Sequence, residues 1–329
     1  MGKKSKFLVC GGGRALLLSP LILFFTLLFF KTLNIPLPTP SHPIAFYTNQ
    51  GRDNLKLLTV KLIKEAKSSL SLASYHLTDP DIIAQLNHKS ATIPITLYLD
   101  HSNRRVRKKL HPNIELHLIK MGGLMHEKIL LIDETYTLLG SANMTESSLL
   151  HHDNIMTLIH HPPLAGEVKK HLKNLSQKLP TPPITCQLGE QSLTLHFTPD
   201  QNNCLLTHMI DNLANSEASI FVSMFTLTHP KLIDTLATHS AKVTLDASAS
   251  KGSSRKAKAR LAPRISRNPF LFHHKWALID ERTLLLGSLN WTRGGLKKNA
   301  DYLMTLSPLT PDQNQFFNKL RKRIHCESN

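Results

Sequence analysis

The sequence predicts an α/β protein built from two tandem repeats, each a mixed sheet flanked by helices. Three observations lead there. One order of elements occurs twice along the chain. Short apolar strands alternate with amphipathic helices, the rhythm of a sheet covered by helices. A polar motif also recurs in both copies with identical internal spacing, the mark of a duplicated structural unit.

The chain opens on a basic segment, residues 1–14, with Lys3, Lys4, Lys6 and Arg14. The uncharged run ALLLSPLILFFTLLFF follows, and Lys31 closes it. With its extension to Leu33 the stretch approaches the ~30 Å of a hydrocarbon core at ~1.5 Å per residue. Residues 15–33 are therefore expected to be a transmembrane signal anchor. The following TLNIPLPTPSHP offers no small-x-small site for cleavage. The positive flank puts the N-terminus in the cytoplasm and the body on the exported side, a single-pass membrane protein. Residues 34–43 carry four prolines and read as a stiff spacer.

The first repeat is expected over 44–178, a linker over 179–190, and the second repeat over 191–325. Each begins with an amphipathic helix, Leu55 to Lys67 and Cys204 to Asn215. Apolar strands follow from Ser69 and Ser219. They end in the matching turns Leu77-Thr78-x-Pro80 and Leu227-Thr228-x-Pro230. After a short helix, a second strand ends at Asp100 or Asp246. Basic loops come next: Arg104-Arg105-x-Arg107-Lys108-Lys109 and Arg255-Lys256-x-Lys258-x-Arg260.

A net charge of +17 and a pI of about 9.8 fit a polyanionic partner. An aromatic content of 6% gives little material for stacking bases. Cys10, Cys186, Cys204 and Cys326 show no CxxC spacing, which speaks against a zinc or redox site. A Cys186–Cys204 bridge and two free thiols both remain open. No ligand spacing recurs among the histidines, and no metal or cofactor is expected.

The chemistry rests on one constellation. The first copy reads His126-x-Lys128-xxxx-Asp133, six residues, Gly140-Ser141-x-Asn143. The second reads His273-x-Lys275-xxxx-Asp280, six residues, Gly287-Ser288-x-Asn290. Histidine and lysine two apart on a strand face the same space. The apolar run behind them buries the strand. A turn at the aspartate returns the chain as a neighbouring strand, which brings the asparagine to the same place. Lysine neutralises a phosphate oxygen, asparagine donates a neutral hydrogen bond, and histidine attacks phosphorus or moves a proton near neutral pH. Two triplets supply a histidine for each side of an in-line displacement.

These residues resemble the HKD signature of the phospholipase D superfamily over roughly residues 44–325. The resemblance implies two repeats packed about a pseudo-twofold axis, with one shared active site and a phosphohistidine intermediate. His126 and His273 would be nucleophile and general acid in an unassigned order. Lys128, Lys275, Asn143 and Asn290 would hold the phosphate. Asp133 and Asp280 would be structural, and Ser141 and Ser288 hydrogen-bonding support. Many members carry a histidine-orienting glutamate about ten residues after the asparagine. Here the acidic residues in that region are Asp153 and Asp301.

Two substrate classes are compatible with this reading. The anchor and basic loops favour hydrolysis or transphosphatidylation of phospholipid head groups at an anionic bilayer. The alternative is a membrane-anchored endonuclease whose basic loops track nucleic acid. Both motifs lie in one chain, so a monomer is expected. Asn143-Met-Thr and Asn290-Trp-Thr are formal glycosylation sequons. Modification of either would disable the site, which favours an exported bacterial protein.

Overall fold

The computed structural model describes residues 35–200, 202–248 and 255–328. The expected anchor, the basic segment before it and Asn34 lie outside the described residues. Among the described residues no helix is long and apolar enough to cross a membrane.

Both repeats build a mixed sheet, as the alternating pattern predicts. The strands of the first are β1 (Ile44–Thr48), β2 (Leu70–Ser74), β3 (Ile95–Asp100), β4 (Ile114–Ile119), β5 (Lys128–Ile132), β6 (Tyr136–Gly140) and β7 (Ile155–His160), in the order β1-β7-β6-β5-β2-β3-β4. Strands β2, β3 and β4 run parallel, and the other pairs are antiparallel. The second repeat has β8 (Ile184–Leu188), β9 (Gln191–Phe197), β10 (Ile220–Met224), β11 (Lys242–Leu245), β12 (Arg264–Ile265), β13 (Lys275–Ile279), β14 (Thr283–Gly287) and β15 (Tyr302–Ser307). Their order is β12-β11-β10-β13-β14-β15-β9-β8. The stretch read as a linker thus contributes β8.

The helices are α1 (Leu55–Glu65), α2 (Pro80–Lys89), α3 (Glu146–Leu150), α4 (Pro162–Ser176), α5 (Cys204–Ala214), α6 (Pro230–Thr238), α7 (Arg255–Leu261), α8 (Arg293–Lys297) and α9 (Pro311–Cys326). Their starts follow ordinary capping chemistry. The Asp79 carboxylate accepts from the N–H groups of Asp81 and Ile82, with Pro80 in the first turn. Thr310 and Gln313 form a capping box on α9. The two basic stretches are helical rather than irregular: the first lies in a 3₁₀ segment, His101–Lys109, and the second forms α7.

One apolar core joins the two repeats. Leu164, Val168 and Leu172 of α4 belong to it together with Trp276 and Tyr302 of the second sheet and Phe317 and Leu320 of α9. The motif strands β5 and β13 are buried along their whole length, which explains why KILLI and KWALI are continuous apolar runs after the lysine. Cys186 and Cys204 are free thiols, not a bridge.

The hairpin from β5 to β6 turns at Asp133 and Glu134, with φ of 54° and 49°. Its counterpart turns at Asp280 and Glu281, with φ of 53° and 51°. Two successive left-handed residues make a tight hairpin turn that normally selects glycine or asparagine. Here the aspartate side chain supplies the compensation. Asp133 accepts from the N–H groups of Lys67, Ser68 and Ser69 at 2.9, 2.7 and 3.2 Å. Asp280 accepts from Glu217, Ala218 and Ser219 at 3.0, 2.9 and 2.7 Å, and from the Ser216 hydroxyl at 2.8 Å. The partial burial of Asp280 works against its charge, but these donors prevail and hold it down at about 2. The motif aspartates therefore fasten the hairpin to the chain entering β2 and β10.

Replacing Asp280 with alanine is expected to cost about 1 kcal/mol at pH 7, the net worth of hydrogen bonds whose largely exposed donors turn to water when the carboxylate is gone. Because its folded-state pKa is depressed, this contribution is full above its unfolded value near ~4 and is lost as pH falls toward about 2. Urea unfolding of wild type and Asp280→Ala should show a difference at pH 7 that shrinks below pH ~4; a difference independent of pH would count against the carboxylate.

Candidate active site

Each histidine–lysine pair forms because β5 and β13 begin at the lysine, with the histidine two residues upstream on the same side. Lys128 Nζ donates to the His126 carbonyl, and Lys275 Nζ donates to the His273 carbonyl at 3.0 Å. The intervening residues point the other way, as strand alternation requires. Glu127 meets His171 of α4 at 2.9 Å, and His274 meets Gln50 at 2.7 Å. The strand entries are held by the aspartates at the end of β3 and just after β11. Asp100 accepts the Met125 N–H at 3.0 Å, and Asp246 accepts the Phe272 N–H at 2.7 Å.

The two repeats exchange backbone hydrogen bonds at the histidines themselves. The His126 N–H donates to the Ala300 carbonyl at 2.7 Å, and the Ala300 N–H to the Leu124 carbonyl at 2.8 Å. Reciprocally, the His273 N–H donates to the Asp153 carbonyl and the Asp153 N–H to the Leu271 carbonyl, both at 2.9 Å. The next side chain in each crossing segment then reaches the imidazole. The Asp301 carboxylate lies 2.7 Å from His126 Nδ1, and the Asn154 side-chain oxygen lies 2.9 Å from His273 Nδ1. Ser288 Oγ donates to Asp301 at 2.7 Å, and Ser141 Oγ donates to the Asn154 side-chain oxygen at 2.8 Å.

This corrects one sequence expectation. Asp153 does not orient a histidine through its side chain; its backbone does the pairing, and Asn154 takes the side-chain role. Backbone and side-chain partners fall on consecutive residues, so a search for an acidic side chain lands one position early. Counting from the motif asparagines would have found it, because Asn154 and Asp301 stand at equal distances from Asn143 and Asn290. Asp153 instead borders a cavity of about 490 Å³ with Arg267, Asn268 and Arg323. Its burial raises it to about 6.

Other partners carried no signal in the motif. The Tyr302 hydroxyl sits 3.0 Å from the Lys128 carbonyl and 2.9 Å from the Gly140 carbonyl, tying β15 to the first motif. Tyr75 and Phe225 occupy equivalent places, with ring centres 5.4 Å from His126 and 5.0 Å from His273. The same rings face the lysine ammonium groups at 5.6 and 5.2 Å, a cation–π arrangement. Asn143 and Asn290 each present a buried side-chain oxygen with no protein donor. Gly140 and Gly287 let these segments pass the neighbouring strand. A Cβ there would meet the Ile155 carbonyl and the Tyr302 carbonyl oxygens, each at 2.2 Å.

Electrostatically the site is short of negative charge. Lys128 and Lys275 are 0% and 1% exposed. Burial brings Lys128 down to about 7, although Asp301, Glu127 and Asp100 pull the other way. Burial and then Lys128 hold Lys275 well below its ordinary value. Burial and Lys128 press His126 to about 4 against the pull of Asp301. Burial, Lys275, Lys128 and His126 hold His273 well below its usual range. Each lysine thus also acts on the histidine of the other repeat, consistent with the backbone and side-chain bonds that join the two repeats at these histidines. Among the described residues, no cluster of histidine, cysteine and carboxylate side chains is arranged to hold a metal ion.

The family described as cardiolipin synthase, PLD-like domain, matches residues 59–176 and 209–322. A mitochondrial cardiolipin hydrolase from Chlamydomonas reinhardtii is 31% identical over 126 residues, 35% of this chain and 56% of that protein. The human mitochondrial cardiolipin hydrolase is 38% identical over 47 residues, 14% of this chain and 19% of that protein. The chain therefore spans about half or less of the length of these relatives. The phosphatidylserine synthase of Haemophilus influenzae Rd KW20 shares the fold, with a TM-score of 0.68 at 13% identity. The match covers 92% of this chain and 91% of that one.

An anion entering this site returns the missing charge and raises both lysines and both histidines, so binding should take up protons. The affinity for tungstate, measured by calorimetry in buffers of different ionisation heat, is expected to fall as pH rises from about 6 to 8, by at most ~10-fold per unit for each proton taken up. Affinity independent of pH, with no proton uptake, would contradict the electrostatic account.

Proposed function

This chain belongs to the phospholipase D superfamily, enzymes that act on phosphodiester bonds, and from that premise we propose that it cleaves phospholipid head groups, with His126 as nucleophile and His273 as general acid and base. The observation that carries the division of labour is the difference between their orienting partners. A carboxylate behind His126 fixes Nδ1 as the donor, leaves the Nε2 lone pair free, and stabilises the positive ring that forms on attack. The neutral amide behind His273 orients that ring equally well but adds no such stabilisation, which suits a group that must give its proton away.

In the first step His126 Nε2 bonds to phosphorus as the bond to the leaving alcohol breaks, and His273 Nε2 delivers the proton to that oxygen. In the second, His273 takes a proton from water as the oxygen of that water displaces His126 from phosphorus. Lys128 and Lys275, with the amides of Asn143 and Asn290, hold the non-bridging oxygens in both steps. Their placement in a water-poor site strengthens the contribution to the charged transition state.

Support for lipid comes from the cardiolipin hydrolases among the relatives and from the exposed cations Arg104, Arg105, Arg107, Lys108 and Lys109, none of which pairs with a carboxylate among the described residues. With the expected anchor at residues 15–33, that run would meet anionic head groups at a membrane surface. The second reading, nucleic-acid cleavage, draws on the same run as a track for a phosphate backbone.

The protein should release head groups from phosphatidylglycerol or cardiolipin vesicles in EDTA, and do so more slowly from phosphatidylcholine. Cleavage of single-stranded DNA or RNA without head-group release would replace the lipid reading with the second one. With an ester of p-nitrophenol, which leaves without a proton, His273→Asn should accumulate a covalent phosphoenzyme visible by mass spectrometry. His126→Asn should form none, and both variants should lose about 10²–10⁴-fold or more in turnover. A phosphoenzyme in His126→Asn and not in His273→Asn would reverse the roles.

A further inference from the structure

Besides the added strand β8, the second sheet departs from the first at the opposite edge. Strand β4 pairs with β3 over six residues, whereas β12 offers β11 only Arg264 and Ile265. Beside this shortened edge, along the C-terminal part of α9, lies a cavity of about 730 Å³, within the range of small-molecule sites. Phe221, Val243, Leu261, Trp276 and Ile324 give it an apolar wall. The charged lining is of one sign: Lys242, Arg264, Arg321 and Lys322, with no acidic side chain.

The cations are not all held by partners. Arg321 stacks over Phe221 at 3.9 Å and reaches exposed Glu281 at 3.3 Å, and Lys242 stands 5.3 Å over the same ring. Arg264 and Lys322 are exposed, and neither pairs with a carboxylate among the described residues. Trp276, 1% exposed, has an indole N–H with no acceptor. None of the lining residues belongs to the two catalytic triplets, so a ligand held here takes no part in phosphodiester cleavage itself.

We propose that this cavity is a binding site for a single-chain anionic lipid. The acyl chain lies against Phe221, Val243 and Trp276, and the head group meets Arg264 and Lys322. An apolar wall beneath a rim of cations matches both halves of such a molecule. A neutral apolar ligand would leave the cations unused, and a free anion would leave the apolar wall wet.

Trp276 and Trp291 are the two tryptophans, and Trp291 lies in the separate core beneath α5 and α6. Bromine quenches indole fluorescence only at short range, so dibromostearate titrated into the full-length protein below its aggregation concentration reads the site directly. Saturable quenching is expected in the wild type and in Trp291→Phe, and none in Trp276→Phe. Arg264→Glu combined with Lys322→Glu should weaken it at least about tenfold and leave phosphodiesterase turnover unchanged. Dibrominated lysophosphatidylcholine should bind at least about tenfold more weakly than the anionic probe. Independently of any tryptophan substitution, stearate should slow iodoacetamide alkylation of Cys326, which is exposed and lines the cavity. Absence of saturable quenching in the wild type, quenching that survives Trp276→Phe, equal binding of the zwitterionic probe, or alkylation of Cys326 unaffected by stearate would each overturn the proposal.

Discussion

Two lysines and two histidines are removed from water in one place, with the Asp301 carboxylate hydrogen-bonded to only one of them. Burying a cation without a matched anion is expensive, and much of the surrounding structure serves to make it tolerable. The ammonium groups donate to the carbonyls of the motif histidines and face Tyr75 and Phe225. Asp100 and Asp246 contribute charge at a distance while bonding the backbone just before each motif. What these partners leave unmatched is the affinity of the site for an anion. Under the proposed function, that anion is a phosphodiester, which completes the charge balance that the protein alone does not.

Neither repeat can assemble this site by itself. The backbone of Ala300 and of Asp153 pairs with the histidine of the opposite copy, and the following residue orients that ring. Tyr302 adds a third crossing contact to the carbonyls of Lys128 and Gly140. Packing of the two copies and formation of the catalytic geometry are therefore the same event, and the joint core of α4, α9 and both motif strands stabilises both at once. Duplication gives such a site its matched halves; the useful chemistry lies where the halves have diverged. Asp301 stands where the first repeat has Asn154, Tyr302 where it has Ile155, and the two residues of β12 where it has the six of β4.

Much of this was legible in the residues. The repeated order of elements pointed to the mixed sheets, because alternation of apolar strands with amphipathic helices has few other solutions. The spacing from His126 to Lys128 put those two on one side of the strand, since strand alternation leaves little freedom, and the two-residue turn followed from the aspartate after it. The structural role expected of Asp133 and Asp280 is explained by their left-handed turns and the donors they gather. Less was visible where the partner comes from the other copy. Asn154 is an amide among histidines, and nothing in HHDN marks it as the residue behind His273. Strand β8 went unseen because ITCQL, though it alternates, is only five residues long and follows prolines that read as linker.

At Asp153 and Asn154 chemical type and position point to different residues, and position is the one the structure follows. The role at that place is to accept a hydrogen bond from an imidazole N–H, and an amide oxygen meets it as well as a carboxylate does. What the amide cannot do is stabilise a full positive charge on the ring. A pair of sites under the same geometric constraint but different electrostatic demand will therefore keep the position and let the residue type vary. In this chain the difference between aspartate and asparagine at equivalent places separates the two histidines, and the repeat, by making all else equal, exposes it.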